Sequence, residues 1–176
     1  MNSNEEYENV VAQIVNRNGL KPHPEGGFFK ETYRSTTKVA VELPDGSLNV
    51  RTASTAIMFL ISNTNVSRLH RIKSDEIWHF YGGSALIVVE LDTETLELKS
   101  TLIGADFLNG ESVQYTVPAG KWFGCYTDGP YSLVGCTVAP GFEFEDFELA
   151  SSAHLRGIFR DNTEALLVIN KLCSGL

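Results

Sequence analysis

Between Phe28 and Val138, the chain alternates short runs of β-forming residues with clusters of turn residues. The runs are rich in Val, Ile, Phe, Tyr, Thr and Trp, which favour strands, whereas Gly, Pro, Asn and Asp separate them. Because no helical stretch intervenes, the pattern favours an all-β sandwich or closed barrel over a parallel sheet. About ten strands are predicted, at residues 28–35, 38–43, 54–62, 66–72, 76–81, 85–91, 96–102, 112–117, 122–127 and 131–138.

Helices are predicted at the two ends of the chain. Apolar residues between Val10 and Val15 recur at helical spacing, and Asn18-Gly19 supplies a stop signal. A second, shorter helix is expected within Asn162–Leu172, and no repeat or linker divides the chain. The expected organisation is one domain of residues 1–176, with a helix at about 5–18, a barrel at about 26–150 and a C-terminal tail with a helix at about 151–176.

Charge and cysteine content exclude several classes of protein. The chain has 22 acidic and 14 basic residues, a net charge of −8, and no basic run that could form a nucleic-acid or membrane-surface patch. It begins with polar, acidic residues, and its apolar runs are too short to cross a bilayer. Three cysteines without metal-type spacing favour reduced thiols. We therefore expect a cytoplasmic protein that binds neither nucleic acid nor membranes.

Residues Ser67–Gly83 contain two of the four histidines, His70 and His79. The segment resembles the first motif of the cupin superfamily, in which histidines, a glutamate and a glycine follow a fixed spacing on a hairpin. His70 matches the second histidine of that motif, Glu76 the glutamate and Gly83 the glycine. Residues 117–123, with a Pro-x-Gly turn, resemble the second motif.

Two departures weaken the metal site that this resemblance implies. Arg68 stands where the first histidine would be, and Phe123 stands where the second motif's histidine would be. Asp75 competes with Glu76 for the acidic role, because one extra residue separates Glu76 from His70. Since zinc, iron and manganese sites normally need three or four protein ligands, no metal is firmly predicted. If a divalent metal binds, His70 and Glu76 are the ligands that remain.

The turn after His70 decides which side chains share its face. A two-residue turn at Lys73-Ser74 would join His70 with His79, whereas an odd-length turn would join it with Glu76 and Trp78. The resemblance favours the second arrangement. A carboxylate beside an imidazole stabilises its protonated form and suits general acid–base catalysis. The alternative is that His70 and Glu76 merely hydrogen-bond inside a structural barrel.

Longer segments are similar to one branch of the cupins, the uncharacterised cupin_5-like family. This resemblance implies a double-stranded β-helix (jelly-roll) barrel and a homodimer, but no settled reaction. The barrel shape is similar to that of deoxy-sugar epimerases, which work without metal through a barrel histidine. The matching segments are Leu20–Ser35, His70–Gly83, Val117–Trp122 and Leu133–Ala150.

Several other residues are predicted to line the pocket, although ordinary structural roles also explain them. Glu31 and Tyr33 share a strand face with Phe29, although a solvated acid on an ordinary strand explains Glu31 equally well. Lys121 and Trp122 follow the Pro-x-Gly turn and could reach the barrel mouth. The full set of predicted pocket residues is Glu31, Tyr33, Asp75, Trp78, His79, Lys121 and Trp122.

Two further segments are assigned structural roles. His23, between two prolines, is predicted to be a loop residue. The run Phe142–Glu148 alternates phenylalanine with acids at its start and is predicted to form an edge strand.

The leading hypothesis is a barrel that binds a polar, sugar- or nucleotide-like small molecule. In its enzymatic form the protein is a metal-independent epimerase or isomerase that uses His70 with Glu76. One alternative is a binding or scaffold protein that has lost its metal site. A second alternative is a metal-dependent dioxygenase with an unusual ligand set.

Overall fold

A computed structural model describes residues 3–42 and 46–174. Strands are the most frequent secondary structure of the described chain, with one α-helix before them and two after them. The strands are β1 (Lys21–Pro22), β2 (Phe28–Arg34), β3 (Lys38–Glu42), β4 (Leu48–Thr52), β5 (Thr55–Ser62), β6 (Ser67–Arg71), β7 (Asp75–Gly83), β8 (Leu86–Leu91), β9 (Leu98–Ile103), β10 (Gln114–Val117), β11 (Trp122–Tyr126), β12 (Tyr131–Ala139) and β13 (Glu148–Leu149), and the helices are α1 (Ser3–Asn18), α2 (Ser152–Ile158) and α3 (Thr163–Ser174).

Two antiparallel sheets form the barrel. One has six strands in the order β1-β2-β5-β12-β7-β10, and the other has five in the order β13-β6-β11-β8-β9. Their inner faces share a core that includes Phe59 and Trp78 from the first sheet and Val88 and Phe123 from the second. The expected all-β jelly-roll barrel with helices at both ends is therefore confirmed.

A second core covers the outer face of the five-stranded sheet. Leu155 of α2 and Ile169 of α3 are fully buried there against Leu69 and Trp122. The predicted C-terminal helix is confirmed at Thr163–Ser174, and α2 is an additional helix that the sequence analysis missed. No helix among the described residues is long and apolar enough to span a membrane.

Two strand predictions were wrong. Leu48–Thr52 was not predicted, yet it pairs with β3 in a separate two-stranded sheet. The run Phe142–Glu148 is not an edge strand, because Phe144–Asp146 forms a 3-10 turn and only its last residue enters β13. Arg51 holds the Asp146 carboxylate at 2.7 Å, and this ion pair favours a compact turn over an extended strand.

The expected hairpin between β6 and β7 was also wrong. β6 pairs with β11 and β13, whereas β7 pairs with β12 and β10, so the intervening turn crosses from one sheet to the other. The two sheets face each other, and His70 and Glu76 are therefore both buried without pairing through a hairpin.

Candidate functional site

A narrow cavity of about 70 Å³ opens between the six-stranded sheet and the Phe142–Phe144 segment. Phe29 and Phe59 form part of its apolar wall. Its polar lining consists of His23, Glu25, Glu31, Arg34, Thr55, Glu76 and the thiol residue Cys136.

Glu25 reaches the cavity on a loop that only glycines permit. Gly26 and Gly27 have φ values of 115° and 67°, in the region that side chains disfavour. A Cβ at Gly26 would lie 2.0 Å from the carbonyl oxygen of Val66. The backbone N–H of Arg68 donates to the Glu25 carbonyl at 2.8 Å. Arg68, which stands where a metal-binding histidine was expected, therefore anchors the Glu25 loop.

The Glu25 carboxylate is buried among three polar side chains. The Ser67 hydroxyl donates to Oε1 at 2.7 Å, while His70 Nε2 and His23 Nδ1 lie 3.4 and 3.3 Å from Oε2. Burial opposes ionisation, but the positive charge of His70 and hydrogen bonds from neighbours outweigh it and hold the pKa of Glu25 below its ordinary value. Glu25 is thus an ionised carboxylate inside the barrel.

His70 lies behind Glu25 and does not line the cavity. Its Nδ1 is 2.7 Å from the carbonyl oxygen of Arg68, and a carbonyl only accepts, so Nδ1 carries a hydrogen. Its Nε2 lies 3.4 Å from Oε2 of the Glu25 carboxylate. The ring packs against Phe123 with the centroids 4.2 Å apart. These contacts fix the orientation of the imidazole toward Glu25.

His23 has two alternative contacts through one nitrogen. Its Nδ1 can accept the backbone N–H of Glu25 at 3.3 Å, or donate to the Glu25 carboxylate at the same distance. Nδ1 accepts the backbone N–H when it carries a lone pair and donates to the carboxylate when it carries a hydrogen, so the two contacts alternate. The prediction of a loop residue describes its backbone but missed this contact.

Glu76 faces the same cavity in the opposite protonation state. Burial, reinforced by the negative charge of Glu25, raises the pKa of Glu76 to about 8, although a hydrogen bond with Cys136 opposes the rise. At neutral pH the side chain is therefore a carboxylic acid. One cavity thus holds an ionised carboxylate and a protonated carboxyl group, the arrangement that pairs a general base with a general acid.

A β-bulge arranges the mouth of the cavity. The pairing of β2 with β5 shifts between Glu31 and Tyr33, so Thr32 is an extra residue in β2. As a result Glu31 and Arg34 both line the cavity, and Tyr33 is exposed. The structure thus brings Glu31 to the site and separates Tyr33 from it.

Four of the remaining candidates lie away from the cavity. The Asp75 carboxylate accepts the backbone N–H of Ala119 at 2.8 Å. His79, on the opposite face of β7 from Glu76, contacts Thr137 at 3.0 Å. Two others take part in cation contacts, in which Lys121 pairs with Asp92 and Trp122 stacks under Arg71.

Trp78 lies in the inner core rather than along the cavity. Its ring centroid is 6.1 Å from that of Phe59 and 6.4 Å from that of Phe123. Its buried Nε1 has no hydrogen-bond partner among the described residues. Trp78 therefore supports the inner wall of the barrel without lining the cavity.

The side chains present do not fit the metal site of a typical cupin. Both nitrogens of His70 are directed at oxygen atoms of the protein, and Arg68 and Phe123 supply no donor atom. In the part of the chain that the structure describes, no three His, Cys, Asp or Glu side chains are arranged to hold a metal ion. The chemistry of this site is therefore derived from its own acid–base groups.

Comparisons with known proteins agree with this fold. A family model, Cupin_5, described as "Cupin superfamily (DUF985)", matches residues 12–150. The "Uncharacterized protein YML079W" of Saccharomyces cerevisiae is 34% identical over 151 residues, which cover 77% of this chain and 73% of the yeast protein.

Several solved structures are similar. A hypothetical protein from Leishmania major is 35% identical with a TM-score of 0.77, covering 88% of this chain and 94% of that one. Protein SO0799 from Shewanella oneidensis is also 35% identical, with a TM-score of 0.79 and coverage of 91% and 94%. Oxalate decarboxylase from Bacillus subtilis is 16% identical with a TM-score of 0.52, covering 86% of this chain and 36% of its own, and shares only the fold.

Proposed function

We propose that the barrel of this chain, which belongs to the Cupin_5 family of the cupin superfamily, binds a polar, sugar- or nucleotide-like molecule and isomerises or epimerises it without metal. The observation that carries the proposal is the pair of carboxyl groups in one cavity. Glu25 is ionised beside His70, and Glu76 is protonated by burial. Environments that separate the pKa values of two titratable groups in this way are typical of general acid–base sites.

The proposed reaction is a reversible proton transfer next to a carbonyl group. Glu25 takes a proton from the carbon beside the carbonyl, and Glu76 gives its proton to the carbonyl oxygen, which yields an enediol. Return of a proton to the other face, or to the neighbouring carbon, gives the epimer or the isomer. Atoms and electrons balance without an oxidant.

His70 acts in this scheme as a positioning residue. Its Nε2 lies 3.4 Å from Glu25 Oε2, and its electrostatic effect lowers the pKa of the base although His70 does not line the cavity. This role differs from the expected one, in which His70 itself is the base with Glu76 as its partner. Glu76 stays a catalytic residue in this scheme, His70 positions and stabilises Glu25, and Glu25 abstracts the proton.

The volume of the cavity limits what it can enclose. A cavity of about 70 Å³ is far below the ~300–1,000 Å³ of sites that enclose a drug-sized ligand. Only the reacting end of a sugar-like molecule fits inside, and any nucleotide portion would lie at the mouth. The proposed substrate is therefore a compound whose hydroxycarbonyl group is terminal or near one end.

Deuterium exchange from solvent tests this proposal. Glyceraldehyde and dihydroxyacetone, with and without a phosphate group, are incubated with the protein in deuterated water and followed by proton NMR. We expect exchange at the carbon beside the carbonyl with the wild type and its loss in Glu25→Gln and Glu76→Gln. Asp75→Asn is the matched control, since the Asp75 carboxylate accepts the backbone N–H of Ala119 and does not line the cavity.

Unchanged exchange in Glu25→Gln would remove Glu25 as the base. Tight binding of a probe without any exchange would favour the non-enzymatic binding or scaffold protein. The expected homodimer and the cytoplasmic location stay predictions, and light scattering of the purified chain tests the first of them.

A further inference from the structure

Among the described residues that line the cavity, Arg34 is the one whose side chain is always positively charged. Its guanidinium lies at the mouth, with Nη2 2.8 Å from Glu31 and Nη1 2.7 Å from Glu143. A further hydrogen bond runs from Nη2 to the carbonyl oxygen of Phe142 at 3.1 Å. About a third of the side chain remains exposed to solvent. The group is thus both held in place and open to the mouth.

The two carboxylates on Arg34 are held by different elements. Glu31 is three residues away on the same strand and meets the guanidinium through Nε and Nη2. Glu143 belongs to a different element, the irregular segment immediately before the 3-10 turn at Phe144–Asp146. Its side chain is about one-third exposed, and its Oε1 accepts a hydrogen bond from Nη1 of Arg34.

The Glu143 side chain can leave Arg34 without unravelling its segment. The backbone of Phe142 is anchored independently, since its N–H donates to the Thr55 hydroxyl at 2.9 Å. A ligand carboxylate or phosphate in the place of the Glu143 carboxylate would keep the Arg34 guanidinium paired with anionic oxygen atoms. Glu143 therefore occupies the position that an anionic group of a ligand would take.

The small size of the cavity leaves part of any larger ligand outside it, next to Arg34. A ligand whose reacting end fills about 70 Å³ must extend its remaining atoms past Arg34. A guanidinium presents a planar fork of donors that matches a carboxylate or a phosphate. Anionic oxygen groups are therefore the chemistry that the mouth recognises.

We propose that Arg34 binds an anionic group, phosphate or carboxylate, at the outer end of the ligand, in exchange for Glu143. The site thus selects small hydroxycarbonyl compounds that carry a terminal negative charge. This inference rests on the proposed function for the identity of the inner end of the ligand. The Glu143 carboxylate competes with the anionic group of the ligand for Arg34.

Calorimetric binding with matched probes tests the inference. D-Glyceraldehyde 3-phosphate and hydroxypyruvate are hydroxycarbonyl compounds that carry a terminal anionic group, and D-glyceraldehyde lacks it. We expect the two anionic probes to bind wild type about tenfold more tightly than D-glyceraldehyde. Arg34→Gln should abolish that difference, and Glu143→Gln should tighten the anionic probes severalfold while leaving the neutral probe unchanged.

The controls separate recognition from loss of folding. Arg71→Gln removes a surface arginine that pairs with Glu148 at 2.7 Å, and it should leave all three affinities unchanged. Arg34→Lys keeps the charge without the fork and should retain part of the preference. Equal binding of the anionic and neutral probes by wild type, or no measurable binding of either anionic probe, would overturn the inference. So would a preference that survives in Arg34→Gln.

The two proposals fail separately. Anion-dependent binding that disappears in Arg34→Gln, without deuterium exchange, would support the mouth site and contradict the acid–base reaction. Deuterium exchange together with equal affinity for charged and neutral probes would support the acid–base reaction and contradict the mouth site.

Discussion

Replacing Glu76 by glutamine should change how the stability of the protein depends on pH. Glutamine keeps the shape of the protonated carboxyl group but cannot ionise. Burial raises the pKa of Glu76 from 4.5 to about 8, so the folded state holds its proton over a range in which the unfolded state has lost it. The wild type therefore loses stability as pH rises from about 4.5 to about 8, and Glu76→Gln does not lose this contribution.

The magnitude follows from the size of the pKa change. Each pKa unit corresponds to about 1.4 kcal/mol, so between about pH 5.5 and pH 8 the wild type should lose about 3 kcal/mol relative to Glu76→Gln. Starting at about pH 5.5 keeps the protein away from its sequence pI of about 5.0, where solubility is lowest.

The assay is urea unfolding at several pH values, followed by tryptophan fluorescence. Trp78 and Trp122 are both buried in the folded state, so unfolding changes their emission. Exposed Glu148 provides the control Glu148→Gln, which removes a surface carboxylate and should retain the loss of stability that the buried Glu76 causes as pH rises. A difference between Glu76→Gln and wild type that is constant across this range would refute the reasoning.

Three further predictions concern the loop, the histidine and the thiol. Gly27→Ala should destabilise the fold by about 2–4 kcal/mol, because its Cβ would meet the carbonyl oxygen of Leu60 at 2.7 Å. The control Gly120→Ala has open space around the new Cβ and should cost about 1 kcal/mol. Urea unfolding measures the free energy of unfolding of both variants. His70→Gln removes the electrostatic effect that lowers the pKa of Glu25. The rate of deuterium exchange should therefore fall off at a higher pH on the acidic side of its pH profile than in the wild type. An unchanged acidic side of the profile would contradict the positioning role of His70. Burial raises the pKa of the Cys136 thiol well above its ordinary value, so thiol reagents should label it only after unfolding, and rapid labelling of the native protein would count against a dry inner wall.

Much of the fold could be predicted because strand signals are local. Runs such as Thr55–Ser62 are mostly apolar, contain β-branched and aromatic residues and end at turn residues, so their propensity and their burial agree. The Phe142–Glu148 segment has the same alternation, but its shape depends on arginines far away in the sequence. Arg34 and Arg51 hold its carboxylates, and no local pattern reveals such pairs.

The candidate site was only partly predictable for the same reason. His70 and Glu76 were found because their spacing resembles a known motif. Glu25 was missed because its role depends on a loop packing against Val66 and Arg68, about 40 residues away. A sequence signal was present, since a charged residue between a proline and two glycines indicates a rigid loop that holds a side chain in place.

Arg34 was missed because a bulge reversed the expected facing of β2. Strict alternation from Phe29 predicts that Glu31 and Tyr33 face the pocket. The extra residue Thr32 instead directs Arg34 toward Glu31 and leaves Tyr33 exposed. Bulges depend on the pairing of two strands, so one strand's sequence cannot specify them.

The most direct test of the acid–base pair is the titration of its two carboxyl groups in the wild-type protein. Carbon-13 NMR of selectively labelled glutamate, assigned with Glu25→Gln and Glu76→Gln, reports each side chain separately. The account predicts that Glu76 is still protonated at neutral pH and titrates near 8, while Glu25 is already ionised below pH 4.5. Ionisation of both groups together near pH 4.5 would contradict it.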